Sequence, residues 1–275
     1  MVEPLTLIAG PCVIENESTV NDTCAHLKEI TDNLNINLIF KASFDKANRS
    51  SINSFRGPGI NKGLSILEKI KNKFKVKILT DIHESYQADL TAEVVDVIQI
   101  PAFLSRQTDL LVSATKAVIK KNKIINIKKG QFLAPWDMEQ VLNKINESGL
   151  PVNSKKIWLT ERGNSFGYNT LVVDFRSLVE LKKFNCPVIF DATHSVQQPG
   201  GKGTCSGGQR EFVAPLGRAA IAVGVDGIFM EVHPDPENAK SDGPNMVPLD
   251  RVEKILNDFM LIRNSLGHSL AVSTL

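Results

Sequence analysis

The stretch Asn37-Leu38-Ile39-Phe40-Lys41-Ala42-Ser43-Phe44-Asp45-Lys46-Ala47-Asn48-Arg49-Ser50-Ser51 sets the pattern for the whole chain. Its apolar run, Leu38-Ile39-Phe40, reads as the inside of a strand. The strand empties into a loop bearing Lys41, Lys46 and Arg49 beside serine hydroxyls and the Asn48 amide. Such a loop offers a phosphate positive charge, several donors and a guanidinium fork that can grip two oxygens. An ordinary solvated loop could share that composition. What decides the reading is that other strand ends carry the same kind of cargo.

Short apolar runs recur at 5–9, 37–43, 76–82, 96–102, 124–128, 156–161, 187–193 and 227–232. They are nearly continuous in Val, Ile, Leu and Phe, as parallel strands covered on both faces should be. Between them, apolar residues step by three and four, the mark of amphipathic helices. Val20, Cys24, Leu27, Ile30 and Leu34 make one such stripe, and Leu64, Leu67, Ile70 and Phe74 another. Leu249, Val252, Leu256, Phe259, Ile262 and Leu266 close the chain, with further helices expected over 104–121, 136–148 and 209–223. Eight strands in alternation with about eight helices predict a single-domain α/β protein, a (β/α)8 TIM barrel over 1–275, in preference to an open doubly wound sheet.

Composition narrows the function classes. With 32 basic and 30 acidic residues the formal charge is +2, so any anion site must come from local clustering, and neither nucleic acid nor a membrane surface is expected as a partner. The four cysteines, Cys12, Cys24, Cys186 and Cys205, show no paired spacing, which fits a reducing compartment. Neither a leader pattern nor an apolar run of membrane-spanning length is apparent, and the expected location is the cytoplasm. Cys24, Cys186, Trp136 and Trp158 read as packing residues. The glycines of the 200–208 stretch suit a lid or an anion-binding turn but do not fit a dinucleotide fingerprint, so no nucleotide cofactor is expected.

In a barrel, chemistry collects at the C-terminal strand ends. Those ends deliver Cys12 after Gly10-Pro11; Lys41 and Ser43; Asp81 and His83; Gln99; Lys128 and Lys129; Glu161 and Arg162; Asp191 and His194; and Glu231 and His233. Lys41, Lys46, Lys128 and Arg162 would meet only in the closed barrel, as a site for a small polyanion. Cys12, His194, Glu231 and Asp242 offer a thiolate, an imidazole and carboxylates, a set suited to a divalent transition metal. No local spacing announces that second group, and a lone cysteine after Gly-Pro is more often a small buried residue.

The stretches KASFDKANRSS, SFRGPG, TDIHE, QIPAFLSRQTDL, KKGQFLAPWD, ERGNSFGYN, LVVDFRS, DATHSVQQPGG and EVHPDPENAKSDGP resemble the 3-deoxy-D-manno-octulosonate 8-phosphate synthases. The likeness runs in order from about residue 5 to the last helix. Related aromatic-pathway synthases share the barrel but not ANRSS or the QIPAF–RQTDL block. The resemblance implies condensation of phosphoenolpyruvate with D-arabinose 5-phosphate and water, in a homotetramer serving lipopolysaccharide sugar synthesis. It implies that Lys41, Lys46, Gln99, Lys128 and Arg162 hold phosphoenolpyruvate, and that Asn48, Arg49 and Ser50 hold the pentose phosphate. Phe103 and Arg106 would reach into a neighbouring copy's site. Lys41, Lys46, Asp81 and His194 are the catalytic candidates. Cys12, His194, Glu231 and Asp242 match the ligands of the metal-dependent branch, for iron, zinc or manganese, where the metal-independent branch has asparagine for the cysteine.

Two departures stand out. Gly243-Pro244 resembles the metal-independent members, and 120–123 is longer than usual, although it falls away from the catalytic face. Other readings of the same residues are a related phosphoenolpyruvate-dependent synthase, a metal-dependent sugar-phosphate hydrolase, a lyase using Lys41 or Lys128 as a Schiff base, and a non-catalytic anion-binding barrel.

Overall fold

The computed structural model describes residues 4–201 and 206–266. Eight parallel strands close on themselves: β1 (Thr6–Gly10), β2 (Asn37–Lys41), β3 (Lys77–Asp81), β4 (Val97–Ile100), β5 (Ile124–Lys128), β6 (Ile157–Glu161), β7 (Val188–Asp191) and β8 (Gly227–His233). Each pairs with the next, and β8 returns to β1 with Thr6 opposite Gly227 and Gly10 opposite Glu231. The expected strands all form with bounds within a residue or two of those expected: β5 matches, β1 and β8 run one residue further at their C-terminal ends, and the others are trimmed where they turn into loops. Helices α1 (Glu17–Asn33), α2 (Ile60–Phe74), α3 (Gln87–Val94), α4 (Thr108–Lys121), α5 (Met138–Glu147), α6 (Arg176–Lys182), α7 (Val213–Val223) and α8 (Val252–Ser265) surround it. The helices expected over 104–121, 136–148 and 209–223 begin later, because a single 3-10 turn precedes each. α3 and α6 have only 8 and 7 residues, too few to print a stripe in sequence.

Two cores follow from strand alternation. Outward-facing residues such as Leu7, Leu38, Phe40 and Ile98 pack against the helices. Inside the barrel, Ile8, Ile39, Leu79, Val97, Trp158, Ile189 and Phe229 form a separate cluster, with Ile124 against it. That cluster supplies one residue from every strand and makes an apolar floor.

Two residues further along each strand, on the same face, stand Gly10, Lys41, Asp81, Gln99, Asn126, Thr160, Asp191 and Glu231. A period of two thus converts an apolar layer into a polar one within a single step. Gly10 is required in that layer by close approach: a Cβ there would lie 2.1 Å from the Lys41 carbonyl oxygen. Its absence lets the β1 and β2 exits press together, with Lys41 Nζ donating to the Cys12 carbonyl at 2.8 Å.

The 120–123 segment ends α4 at the opposite, N-terminal end of the barrel. Asn122 caps the helix in a left-handed conformation, φ 54°, while Lys120 and Lys121 reach Asp89 and Glu93 on α3. It lies away from the catalytic face, as expected. Trp158 packs within the barrel, but Trp136 is 64% exposed, contrary to its reading as a core residue. It sits in the 3-10 turn before α5, where the chain runs over the surface. Cys24 and Cys186 are buried, and Cys205 lies outside the described residues. Among the described residues no helix is long and apolar enough to cross a membrane.

Candidate active site

The barrel mouth opens into a cavity lined by Lys41, Lys46, Asp81, Gln99, Lys128, Arg162, His194, Glu231 and Asp242, with Asn48, Arg49 and Ser50 at one rim. The cations anticipated from separate strand ends therefore meet, and the alternative that they extend into solvent fails for each. Lys41 and Arg162 are 2% and 4% exposed.

On the β5–β7 side, Lys128 Nζ is 2.5 Å from Asp191 Oδ2 and 3.7 Å from the centre of the Phe229 ring. Burial holds its pKa below the ordinary lysine value, with Asp191 resisting only in part. Asp191 binds His194 as well: its Oδ2 is 2.8 Å from Nδ1, and its Oδ1 accepts the His194 backbone N–H at 2.9 Å. This engages Nδ1 and turns Nε2 toward Glu231 Oε2, 3.7 Å away. Burial pushes the Asp191 carboxyl up, but His194 and Lys128 pull it well below the usual carboxylate range. Arg162 donates to Gln197 Oε1 at 3.0 Å, while its buried Nη1 has no partner.

On the β1–β8 side, Lys41 Nζ donates to Glu231 Oε1 at 2.9 Å. Burial pulls this ammonium down, but Glu231 and further acidic neighbours hold it above its ordinary value. With Nζ bonded to both the Glu231 carboxylate and the Cys12 carbonyl, Lys41 is held in the charged form, which does not itself attack a carbonyl. The other Glu231 oxygen, Oε2, is buried and unpartnered. Cys12 Sγ lies 3.1 Å from Asp242 Oδ2 and 3.2 Å from Ser241 Oγ. Burial, with Glu231 and Asp242 adding, pushes the thiol far above its ordinary 9.0, so only a bound cation would draw out the thiolate.

Cys12, Glu231 and Asp242 bring ligand atoms within 4.8 Å of one another. His194 is the fourth expected ligand and stands outside that compact group, with Nε2 aimed at its edge. A thiol, two carboxylates and an orphaned buried oxygen fit a divalent ion, and the Asp191 contact to His194 Nδ1 is the support an imidazole ligand uses. Gly243 owes its place to packing rather than to the metal question. A Cβ there would lie 2.3 Å from the Pro236 carbonyl oxygen.

Asp81 accepts from Ser43 and lies 3.3 Å from His83 Nε2. Burial raises its pKa, whereas His83, Lys41 and Lys46 hold it well below the usual range. The rim loop is clamped by Arg56, which donates twice to Asp45, and by Lys46 N–H bonding the Arg56 carbonyl at 2.8 Å. Arg49 thereby reaches Ser241. Phe103, expected in a neighbouring copy's site, lines the cavity of its own chain, whereas Arg106 is outside the lining and its carbonyl accepts from Lys144.

Three strand-end residues face elsewhere. Lys129 points outward to Glu161 at 3.5 Å, and Glu161 Oε1 accepts the backbone N–H groups of Arg162 and Gly163. His233 turns to Glu15, 3.6 Å away. Sequence reading did not single out Gln197 and Ser241. Gln197 accepts from Arg162 and donates to Asp242 Oδ1 at 3.0 Å, thereby joining the two sides of the cavity. Its only signal was a place three residues after His194.

The DAHP synthetase I family model matches residues 2–262. A 2-dehydro-3-deoxyphosphooctonate aldolase of Cyanothece sp. is 58% identical over 265 residues, 96% of this chain and 94% of the relative. The protein of that name from Fusobacterium nucleatum is 58% identical over 91% of this chain and 87% of its own length. Its namesake from Francisella tularensis subsp. holarctica is 56% identical over 93% of this chain and 90% of the relative. A match spanning all eight strands and both sides of the mouth leaves one assignment: this chain belongs to the DAHP synthetase I family.

Proposed function

We propose that this enzyme is a transferase that joins phosphoenolpyruvate to D-arabinose 5-phosphate with addition of water, giving 3-deoxy-D-manno-octulosonate 8-phosphate and inorganic phosphate. The observation that carries the reading is a buried cation cluster with an unused guanidinium donor, placed across one cavity from a thiol–carboxylate corner with an unused oxygen. Two phosphates and a carboxylate would repel one another in water. Lys41, Lys46, Lys128 and Arg162 neutralise them, and Gln99 adds an amide donor.

In this reading Lys128, Arg162 and Gln99 fix the phosphoenolpyruvate anion, while Asn48, Arg49 and Ser50 hold the pentose phosphate at the rim. The two substrates are then held in line, which replaces a costly encounter. The enol carbon forms the new C–C bond to the aldehyde carbon, and the aldehyde oxygen takes a proton from the cationic side, where Lys46 Nζ stands 3.9 Å from Asp242. Water adds to the cationic carbon left behind, and its proton passes to the unpartnered Glu231 Oε2 or to His194 Nε2. The C–O bond to phosphate then breaks. Asp81 holds the Ser43 hydroxyl and stabilises the nearby lysines.

Cys12, Glu231 and Asp242, with His194 beside them, would hold iron, zinc or manganese. When bound, such an ion supplies Lewis-acid polarisation of the aldehyde or of water. The proposed assembly is a cytoplasmic homotetramer.

The test is phosphate release. With phosphoenolpyruvate alone no phosphate should appear. Adding arabinose 5-phosphate should release one phosphate per phosphoenolpyruvate consumed. Release without the pentose, or a substrate adduct trapped by borohydride, would replace this reading with a hydrolase or a Schiff-base lyase.

A further inference from the structure

Apart from Gly10 and from Asp191, which pairs with Lys128 and His194, two members of the polar layer do not line the cavity and have no part in the scheme above: Asn126 and Thr160. Both are fully buried, immediately above the apolar floor formed by Val97, Ile124 and Trp158. An amide and a hydroxyl in such surroundings are costly unless bonded, and aliphatic side chains would fill the same space without that cost. Their partners are specific. Thr160 Oγ1 donates to Asn126 Oδ1 at 2.7 Å, and Asn126 Nδ2 donates to Gln99 Oε1 at 3.1 Å. The three lie side by side on β6, β5 and β4, with Gln99 directly opposite Asn126.

We propose that Asn126 and Thr160 are positioning residues that set the direction of the Gln99 amide. An amide has one accepting and one donating end. Because Asn126 occupies the Gln99 oxygen, the Gln99 NH2 group is left to face the cavity that Lys128 and Arg162 also line, where phosphoenolpyruvate would bind. Reversal of the chain would present the Gln99 oxygen to that anion and replace attraction by repulsion. The Thr160 hydroxyl, donating to the Asn126 oxygen, leaves the Asn126 NH2 free to face Gln99. The inference rests on the reading of Gln99 as a donor to phosphoenolpyruvate.

A double-mutant cycle tests it, with KM for each substrate, kcat and thermal stability measured for Thr160→Val, Gln99→Ala and the pair. Thr160→Val should raise KM for phosphoenolpyruvate by about 3- to 10-fold, the loss expected when one neutral hydrogen bond is weakened. KM for arabinose 5-phosphate should stay within about twofold. In the Gln99→Ala background the Thr160 substitution should add nothing to the phosphoenolpyruvate effect. Equal rises in both KM values, or an effect of Thr160→Val that persists without Gln99, would overturn the inference. If Gln99→Ala alone leaves KM for phosphoenolpyruvate unchanged, the reading of Gln99 as an anion donor fails, and the inference with it. Asn126→Ala runs through the same cycle with the same expected outcome should Thr160→Val not fold.

Discussion

Asp96 and Asp226 sit at the N-terminal end of the barrel, Asp191 and Glu231 at the C-terminal end, and the two pairs spend their carboxylates differently. Asp96 Oδ2 accepts the Ile78 backbone N–H at 3.0 Å while its Oδ1 meets Lys71 at 2.8 Å. Asp226 Oδ2 accepts the Val188 N–H at 2.7 Å. These groups staple one strand to the next. At the mouth, Glu231 and Asp191 bind lysines and an imidazole, the one backbone contact of Asp191 being to His194 in its own loop rather than to a neighbouring strand, and the mouth keeps buried polar atoms, Glu231 Oε2 and Arg162 Nη1, without hydrogen-bond partners. A buried polar atom left unbonded costs about 1–3 kcal/mol. Glu231 and Arg162 bear that cost inside the cavity, as expected where a ligand completes the bonding.

The largest effect should come from Asp191→Asn. Breaking this buried pair leaves Lys128 uncompensated and should destabilise the fold by about 3–5 kcal/mol near neutral pH. The folded Asp191 pKa lies below its ordinary 3.8, so its stabilisation is present above that pH and is lost as pH falls below it. Denaturant titrations should show a constant gap between wild type and variant at pH 6–8 that closes in acid. A gap unchanged at low pH would show that the charge on Asp191 is not what stabilises the mouth.

Metal removal should come next. Chelation should lower turnover by about 100-fold, the scale of losing about 2.7 kcal/mol of Lewis-acid help, with restoration by a divalent transition ion. Cys12→Asn should lose metal affinity yet keep measurable, chelator-resistant turnover. Wild type shown by elemental analysis to be metal-free, but running at full rate, would leave Cys12 a small residue beneath the substrate.

The smallest effect belongs to the floor. Asp226→Asn weakens one hydrogen bond to Val188 and should cost about 1 kcal/mol in denaturant unfolding, with kcat and both KM values unchanged. A loss of activity out of proportion to stability would erase the distinction between the two ends.

Much of this was legible early. The alternation of apolar runs and helical stripes marked eight units and put Lys41, Gln99 and Glu231 at C-terminal strand ends, because apolar runs and helical periodicity are local properties of the chain. Short α3 and α6 escaped, since 8 and 7 residues give too few turns for a stripe. Lys128 and Lys129 look alike in sequence, and adjacent residues on a strand take opposite faces: the first enters the cavity and the second ends on Glu161.

The sequence by itself determined the barrel, the cation-rich mouth and, through resemblance, the residues worth watching. Only the tertiary structure decided the partnerships. Cys12 and Asp242 are 230 positions apart and touch because β1 closes against β8. Asp242 meets that thiol from a left-handed turn, φ 51°, in a loop with no regular period to reveal it. The direction of the Gln99 amide depends on hydrogen bonds passed between three strands. Periodicity is written residue by residue along the chain, whereas the pairing and polarity of buried groups arise only when distant segments share one dry interior.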